Sequence, residues 1–541
     1  MAEVICEVTF LPQGITTQVP LKTTIQAAAL MNNLSLESIC NGKGTCGKCL
    51  VRVSGSVSEP SSQELTRLGE KKAEGWRLAC QTQILGKAVI TLPRKDEFHT
   101  VQSGQARKYP FEPMILDIHP HLENVYGVAV DIGTTSIVAS LINLKGEDKE
   151  LMTTSCLNPQ TKFGGDVITR ISFAHQSPED TLKLREFVLN GINQLIHQMC
   201  TQQKVLPEQI RHVTIAGNTT MLHLLLGLDP ISLARAPYTP IFVDYQELTA
   251  EKVSLQIDPQ ALISLLPCLS AFIGADILAG LLALDFQKII VPSLFIDIGT
   301  NGEIVANVRG KLVATSSAAG PALEGMNIQC GCRAEDGAIS SVHLTENGQI
   351  ELETIGQAPV KGICGSGLVE LVAELVKAKV ISPTGRFTDS SDLPGFLSQH
   401  MIESDGQPAF AVHPQSMTTL TQKDVRQVQL AKAAIAAAIE ILFERLEVDL
   451  ASVEHVYIAG AFGYHLKPEA LKTIGLLPQN LNATIHFVGN TAKEGARLCL
   501  SSKQALQEIQ ALQKALIPLE LSYAPEFMDH YVEQMGFPSV S

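Results

Sequence analysis

Two segments 166 positions apart share one pattern of apolar and polar positions: VAVDIGTTSIVASL from Val128 and LFIDIGTNGEIVAN from Leu294. In each, an apolar run ends in Asp-Ile-Gly-Thr and a second apolar run follows a tight turn. The pattern predicts strand–turn–strand hairpins over Gly127–Ser140 and Leu294–Val308. Glycine lets the backbone turn sharply and approach a phosphate, and the N–H and hydroxyl groups that follow can cradle anionic oxygens. An aspartate at the strand end can hold Mg²⁺, directly or through water. One such hairpin is a common corner, but two predict a duplicated fold with two jaws facing one nucleotide.

Between and beyond the hairpins the pattern alternates between strand and helix periods. Leu182–Gln203 is predicted as a helix and Val213–Ala216 as a strand leading into Gly-Asn-Thr-Thr. Ile273–Asp285, Gly367–Ala378 and Gln429–Leu446 are predicted as helices. The last is apolar nearly all round, which predicts deep burial. VYIAGAFGYHL at Val456–Leu466 is a strand running into small residues, a flat surface for adenine or ribose with Gly460 and Gly463 as contacts; a close helix–strand crossing explains it equally well in isolation. VGNTAKEGARLCL from Val488 repeats the plan of TIAGNTTMLHLLL: strand, Gly-Asn-Thr, helix. These two helices are expected to form the hinge between the jaws.

The N-terminal part has its own pattern. Glu3–Phe10 and Ile15–Pro20 are predicted as a strand pair, Thr24–Asn32 as a short helix, and Leu50–Val53 and Ala88–Leu92 as further strands. Within it, ESICNGKGTCGKCLVRVSG places Cys40, Cys46 and Cys49 in a C-x5-C-x2-C spacing, and Cys80 follows in WRLACQT. Three thiolates clustered on a glycine-rich loop with a distant fourth suit a [2Fe–2S] cluster. Gly42, Gly44 and Gly47 allow the loop to wrap it. Plant-type ferredoxins space the first two cysteines by four residues. Five residues here resemble the adrenodoxin-like branch. Structural zinc prefers two compact cysteine pairs, and Cys80 has no close partner. Of the 12 cysteines, Cys6 and the scattered remainder are expected to be buried apolar residues, and Cys330, Cys332 and Cys364 make a poor case for a second metal.

Length and charge add limits. At 541 residues the chain is expected to hold several domains: 1–94 around the cluster, a polar, proline-bearing linker at 95–124, and a nucleotide-binding part at 125–541 with two subdomains. A net charge of −14 without a basic stripe argues against a nucleic-acid partner. No apolar run spans a bilayer and no secretory pattern opens the chain, so a cytoplasmic protein is expected, without membrane attachment.

The order DIGTT, GNTT, DIGTNGE, AGAFG, GNTA resembles the actin/hexokinase/Hsp70-like ATPase superfamily. With an N-terminal [2Fe–2S] domain, and with NPQTKFGGDVITRI, SSAAGPALEGMNI and KGICGSGLVELVAEL, the chain resembles the ATP-dependent reductive activators of corrinoid proteins over nearly its whole length. The resemblance implies an α/β and α+β multidomain architecture: a β-grasp ferredoxin-like domain followed by a duplicated actin/Hsp70-like ATPase fold. It implies ATP hydrolysis coupled to single-electron transfer from the cluster to inactive cobalt(II) of a corrinoid protein in a methyltransferase system, regenerating cobalt(I). ATP, Mg²⁺ and a low-potential electron donor of unknown identity are implied with it. A homodimer is compatible with it, although the interval of about 30 residues before the ATPase part is too short for the additional small domain some of these activators carry.

Roles are expected for named residues, that of the serine pair from the resemblance. Asp131 and Asp297 are expected to hold Mg²⁺ across the nucleotide, or are solvent-facing turn residues. Gly133, Thr134, Thr135, Gly299, Thr300, Asn301 and Gly302 surround phosphates. Asp166 is the candidate to orient the attacking water, or a helix N-cap, or both. Glu303 orients water through Mg²⁺ or is a plain hairpin residue, and Glu324 lines the nucleotide site or starts a helix. Ser316 and Ser317 approach the partner's cobalt, or close a turn with their hydroxyls. A sugar or acid kinase regulated by a redox sensor, and a redox-dependent nucleotide-binding scaffold, are the competing readings. No sugar-recognition motif is present.

Overall fold

A computed structural model describes residues 5–539, apart from 33, 35, 37–41, 43, 45–46, 48, 69–74, 93–100, 119–120, 122, 146–148, 346–347, 405, 414–416 and 461–465. Three hydrophobic cores organise it.

The N-terminal core lies under a mixed five-stranded sheet ordered Ile15–Pro20, Ile5–Leu11, Ile84–Thr91, Leu50–Val57, Trp76–Leu78. Alternation in the first strand buries Cys6, Val8 and Phe10, as period-2 patterning requires. The helix Ile25–Met31 crosses the sheet and starts at Thr24, whose hydroxyl accepts the Ala27 N–H at 3.1 Å. This is the β-grasp arrangement. Cys6 is a free core residue.

Two further six-stranded sheets repeat one plan. In the first, Lys149–Leu157, Ser136–Asn143, Tyr126–Ile132, Ile210–Gly217 and Leu262–Leu265 lie in the order third, second, first, fourth, fifth, with Gln246–Thr249 added at the edge. In the second, Lys311–Ser317, Gly302–Val308, Ser293–Ile298, His455–Ala459 and Thr484–Gly489 take the same order, with Leu516–Pro518 added at the other edge. The register repeats as well. Asp131 stands beside Ala216 and Asp297 beside Ala459, each on the parallel strand next to its hairpin. Both aspartates therefore leave their sheets at equivalent points. The predicted helices are present as Pro178–Gln203, Ala275–Leu284, Gly365–Lys377 and Gln422–Leu446, the last with Val428, Ala431, Ile435, Ile439 and Leu442 fully buried.

The hinge differs from expectation. Thr219–Leu225, the helix after the first Gly-Asn-Thr, packs inside the first core against Pro178–Gln203. Thr491–Ser501, after the second, pairs instead with Ala275–Leu284. The reason is topological: Gly217 ends a fourth strand, whereas Gly489 ends a fifth, so the two motifs occupy non-equivalent places. The crossing is backbone against backbone. A Cβ on Gly495 would lie 2.6 Å from Ala279 Cα, and one on Gly280 would lie 2.8 Å from Thr491 Oγ1. Residues 101–118, within the expected linker, lie along these elements. Gln105 N–H donates to the Val488 carbonyl, Arg107 N–H to Ala283 and Glu112 N–H to Ser501.

Gly495→Ala is expected to lower stability by roughly 1–3 kcal/mol through overpacking against a backbone that cannot yield, read as a lower urea midpoint of the ATPase part. Ala496→Gly, one residue on, is expected to cost about 1–2 kcal/mol from helix propensity together with lost packing of a single methyl.

Candidate functional site

The two hairpin turns face one cavity of about 230 Å³. In the first, Gly133 N–H donates to the Ser136 carbonyl at 2.9 Å, and a Cβ there would lie 2.9 Å from that same oxygen, so the turn requires glycine. The loop is braced from behind. Asn158 Nδ2 donates to the Gly133 carbonyl at 2.8 Å and Arg170 Nη2 to the Thr134 carbonyl at 2.5 Å. Arg170 is fully buried, and burial lowers its pKa to about 9 against the attraction of Asp166. In the second turn Gly299 N–H donates to the Asn301 carbonyl at 2.9 Å.

Glu324 joins the turns. Its Oε2 accepts the Thr135 hydroxyl at 3.0 Å and the Thr300 hydroxyl at 3.3 Å, one from each repeat. A second tie runs the other way across the cleft, Asn490 Nδ2 donating to Asp131 Oδ2 at 2.9 Å.

Five carboxylates line the cavity: Asp131, Asp276, Asp297, Glu303 and Glu324. Burial raises the pKa of Asp131 to about 6, with the Asn490 hydrogen bond and Lys493 opposing the rise. Burial followed by repulsion from Asp131 and Glu324 raises Asp297 to about 7. Burial followed by repulsion from Asp297 and Asp131 raises Asp276 to about 8. Burial and repulsion from Asp276 and Asp297 carry Glu303 well above the usual carboxylate range. Crowded, desolvated carboxylates of this kind favour a cation. Mg²⁺ suits them, because it takes one or two carboxylates and completes its shell with water and phosphate oxygens. Arg333 is the one basic residue among the described lining residues.

The remaining expected positions are distributed as follows. Gly133, Thr134, Thr135, Gly299, Thr300, Asn301 and Gly460 line the cavity. Gly460 has φ +92°, and a Cβ there would lie 2.6 Å from Asp297 Oδ1. Gly302 opens the second strand of its hairpin, where a Cβ would press on Ile435. Asp166 caps the helix Val167–Ala174, its two oxygens accepting the Thr169 N–H at 2.8 Å and hydroxyl at 2.7 Å. Ser317 is buried and donates to the Gly302 carbonyl, and Ser316 donates to Glu303 Oε1, both at 3.3 Å. Gly463 lies outside the described residues. Asp276, Asn218, Arg333 and Asn490 were not singled out by sequence reasoning. Asp276 carried a usable signal: it is the lone charge at the head of an otherwise apolar helix, ADILAGLLAL.

Of the cluster cysteines, Cys40 and Cys46 lie outside the described residues. Cys49 and Cys80 are buried on neighbouring segments joined by Ala79 N–H donating to the Cys49 carbonyl at 2.8 Å. Gln81 Nε2 donates to the Gly42 carbonyl at 2.8 Å and lies 3.6 Å from Cys80 Sγ. Gly42, Gly44 and Gly47 all have positive φ, from +68° to +77°. A loop that turns repeatedly through the left-handed region around buried thiols fits a cluster of the [2Fe–2S] type. The Cys80 segment is held by a buried pair. Arg77 donates to both oxygens of Glu64, at 2.8 and 3.1 Å, and Leu78 N–H donates to Glu64 Oε1 at 2.8 Å.

Comparison with known proteins agrees with this geometry. Residues 8–85 match the 2Fe-2S iron-sulfur cluster binding domain, 126–289 the RACo middle region, and 291–541 the C-terminal domain of RACo, the ASKHA domain. The corrinoid activation enzyme RamQ of Eubacterium limosum is 35% identical over 460 residues, 83% of this chain and 76% of that one. The chain belongs to the family of reductive activators of corrinoid proteins. A further member, the [Co(II) methylated amine-specific corrinoid protein] reductase of Methanosarcina barkeri, is 25% identical over 76% of this chain and 77% of its own. A solved reductive activator for corrinoid, iron-sulfur protein superposes with a TM-score of 0.72 at 28% identity, covering 99% of both chains. The activator family thus accounts for both the cluster-binding domain and the two-jawed ATPase-type part in one chain. No helix among the described residues is long and apolar enough to cross a membrane.

The Glu64–Arg77 pair makes a pH prediction. Burial alone would raise the Glu64 carboxyl, but the Arg77, Leu78 and Thr82 hydrogen bonds hold it below its ordinary value of 4.5. The stability it contributes is present above that value and lost as pH falls through the lower folded pKa. Arg77→Met leaves the carboxylate buried and unpaired, at a cost of about 3–5 kcal/mol. The trend is expected to invert in that variant: urea midpoints of the cluster-binding domain fall between pH 5 and pH 7.5, where the native domain holds steady.

Proposed function

We propose that the chain is an ATP-driven reductive activator of a corrinoid protein in a methyltransferase system. It delivers one electron to inactive cobalt(II), regenerates cobalt(I), and couples that delivery to hydrolysis of ATP to ADP and phosphate. The observation that carries the reading is the Glu324 bridge between two phosphate-type turns, in a chain that also holds a cluster-binding domain. Cys40, Cys46, Cys49 and Cys80 are the ligands we assign to the [2Fe–2S] cluster, which supplies single electrons at low potential when bound. An external low-potential donor replenishes them.

In the cleft, Asp131 and Asp297 are assigned to Mg²⁺, and the backbone and hydroxyls of Thr134, Thr135, Thr300 and Asn301 to phosphate oxygens. Occupation by Mg²⁺ and triphosphate replaces mutual carboxylate repulsion with attraction and draws the jaws together. Asp276 fits the water-orienting role better than Asp166. It lines the cavity, whereas the Asp166 oxygens are used within their own helix turn. Glu303 stands next to it as a second acceptor. ATP acts on the partner only through differential affinity for the open and closed protein. Closure is expected to favour a complex in which cobalt sheds an axial ligand, which raises its potential towards that of the cluster. Ser316, adjoining Glu303, is the serine we place nearer that surface, because Ser317 is buried.

Asp297→Ala and Asp276→Asn separate binding from chemistry. Asp297→Ala is expected to abolish Mg²⁺-dependent ATP binding and turnover. Asp276→Asn is expected to keep nucleotide binding and lower ATP turnover by about 10²–10⁴-fold, the usual range for a lost general base. Full turnover in Asp276→Asn removes its role. Phosphate transfer to a small metabolite instead of water favours a kinase.

The coupling has its own test. A cluster near roughly −400 mV that falls about 100 mV short of ligand-bound cobalt leaves cobalt(I) at only a few per cent, since about 59 mV is tenfold for one electron. Under one defined donor, MgATP is expected to raise the cobalt(I) yield from a cobalt(II) corrinoid protein, followed by its visible spectrum. Cys46→Ser is expected to lose that reduction and most of its iron but to bind nucleotide normally. Equal yields with and without MgATP overturn the coupled mechanism.

A further inference from the structure

The segment that joins the cluster-binding domain to the lobes enters the nucleotide cleft. Val101 is part of the cavity wall. Two residues on, the Ser103 carbonyl accepts the Asn490 N–H at 3.0 Å, and Gln105 N–H donates to the Val488 carbonyl at 2.8 Å. These bonds frame an antiparallel bridge between Gly104 and Gly489. The contact needs both glycines. A Cβ on Gly104 would lie 2.5 Å from the Asn490 carbonyl oxygen, and one on Gly489 would overlap the Ser103 carbonyl.

Asn490 is therefore gripped on two sides. Its backbone carries the bridge, while its side chain donates to Asp131 Oδ2 at 2.9 Å and accepts the Lys493 N–H at 2.9 Å, capping the hinge helix Thr491–Ser501. Further along, the segment crosses to the partner helix of the hinge. Arg107 N–H donates to Ala283 at 2.8 Å. The guanidinium pairs with Asp285, reaches Glu508 at 3.5 Å and stacks on Tyr109 at 3.9 Å. Within five residues, the segment is fixed first to the end of the second sheet and then to the hinge helix of the first. Nine Cα–Cα steps separate Leu92 from Val101, so the cluster-binding domain is tethered within about 30 Å of the cleft.

We propose that residues 101–107 are a working part of the nucleotide site: a strap that converts engagement of Asp131 into a change at the tether of the redox domain. Asn490 is the positioning residue. If Asp131 engaged Mg²⁺, its oxygen would be drawn from the Asn490 side chain, and the glycine bridge would carry the shift into Ser103–Gln105. This rests on the ATP-driven reading above and adds the element that connects hydrolysis with electron delivery. Coupling by this route requires that the strap's contacts differ between the nucleotide-free and nucleotide-bound states.

The test is hydrogen exchange, read by mass spectrometry on the full-length, cluster-loaded protein with and without Mg²⁺ and a non-hydrolysable ATP analogue. The strap peptide containing the Gln105 and Arg107 amides is expected to change its exchange rate by at least about fivefold on nucleotide binding. Gly104→Val is expected to abolish that response and to reduce the MgATP stimulation of cobalt(II) reduction by about tenfold, with the cluster spectrum retained and both effects read at saturating nucleotide. If Gly104→Val does not fold, Arg107→Gln leaves the glycine bridge intact and is expected to weaken both effects in parallel. A native strap that ignores saturating nucleotide, or a folded Gly104→Val that keeps full stimulation, overturns the proposal. The two readings fail differently: no nucleotide binding by the native protein overturns the ATP-driven reading itself, whereas binding and stimulated reduction with an unresponsive strap overturn the strap alone.

Discussion

One carboxylate oxygen links the two hairpin turns across the cleft. Glu324 Oε2 accepts a hydroxyl from Thr135 in the first phosphate turn and from Thr300 in the second. It does so in a desolvated cleft shared with four other carboxylates, so burial raises its own pKa, opposed by those hydrogen bonds, the Thr300 backbone and Arg333. The arrangement is poised: hydroxyls draw the turns together while like charges press them apart. A divalent cation and a polyanion reverse the second term without disturbing the first. A buried cluster of this kind makes the cleft respond strongly to its ligand and weakly to anything else.

That response is useful only if the lobes move as bodies. The hinge provides for it. Gly280 and Gly495 let the helices Ala275–Leu284 and Thr491–Ser501 meet at their backbones, which leaves little side-chain volume to rearrange when the crossing changes. Asp276 rides at the head of one hinge helix and Asn490 caps the other. Two cavity-lining residues thus stand at the ends of the crossing helices. The β-grasp domain, by contrast, is stiffened around its cysteines. The buried Glu64–Arg77 pair fixes the segment bearing Cys80, and a site that exchanges single electrons benefits from ligands that do not reorganise.

Much of this was legible in the chain. Period-2 and period-3.6 patterning located the hairpins, the long helices and most of the β-grasp strands, although the helix expected from Gln429 begins at Gln422 and the short strand Trp76–Leu78 was missed. Repeated Asp-Ile-Gly-Thr after an apolar strand marked both hairpin turns that line the cavity, because a tight turn depends on local backbone shape, which sequence encodes directly. Asp166 shows the opposite case. Its sequence context fits both a water-orienting acid and a helix cap, and local pattern cannot choose, since the choice depends on which way the helix start faces.

Sequence alone determined what is local or repeated: the cysteine spacing, the two turns, the order of motifs and the apolar faces. Tertiary structure decided what depends on partners distant in the chain. Two Gly-Asn-Thr motifs read alike, yet one ends a fourth strand and the other a fifth, and only strand order shows which helix crosses Ala275–Leu284. Asp276 acquired its raised pKa from burial and from repulsion by Asp297 and Asp131, and Glu324 its hydrogen bonds from both turns, through tertiary packing that no local pattern displays. The segment at 101–107 has the composition of a linker and becomes a strap because two glycines, Gly104 and Gly489, 385 positions apart, are brought close enough for their backbones to bond.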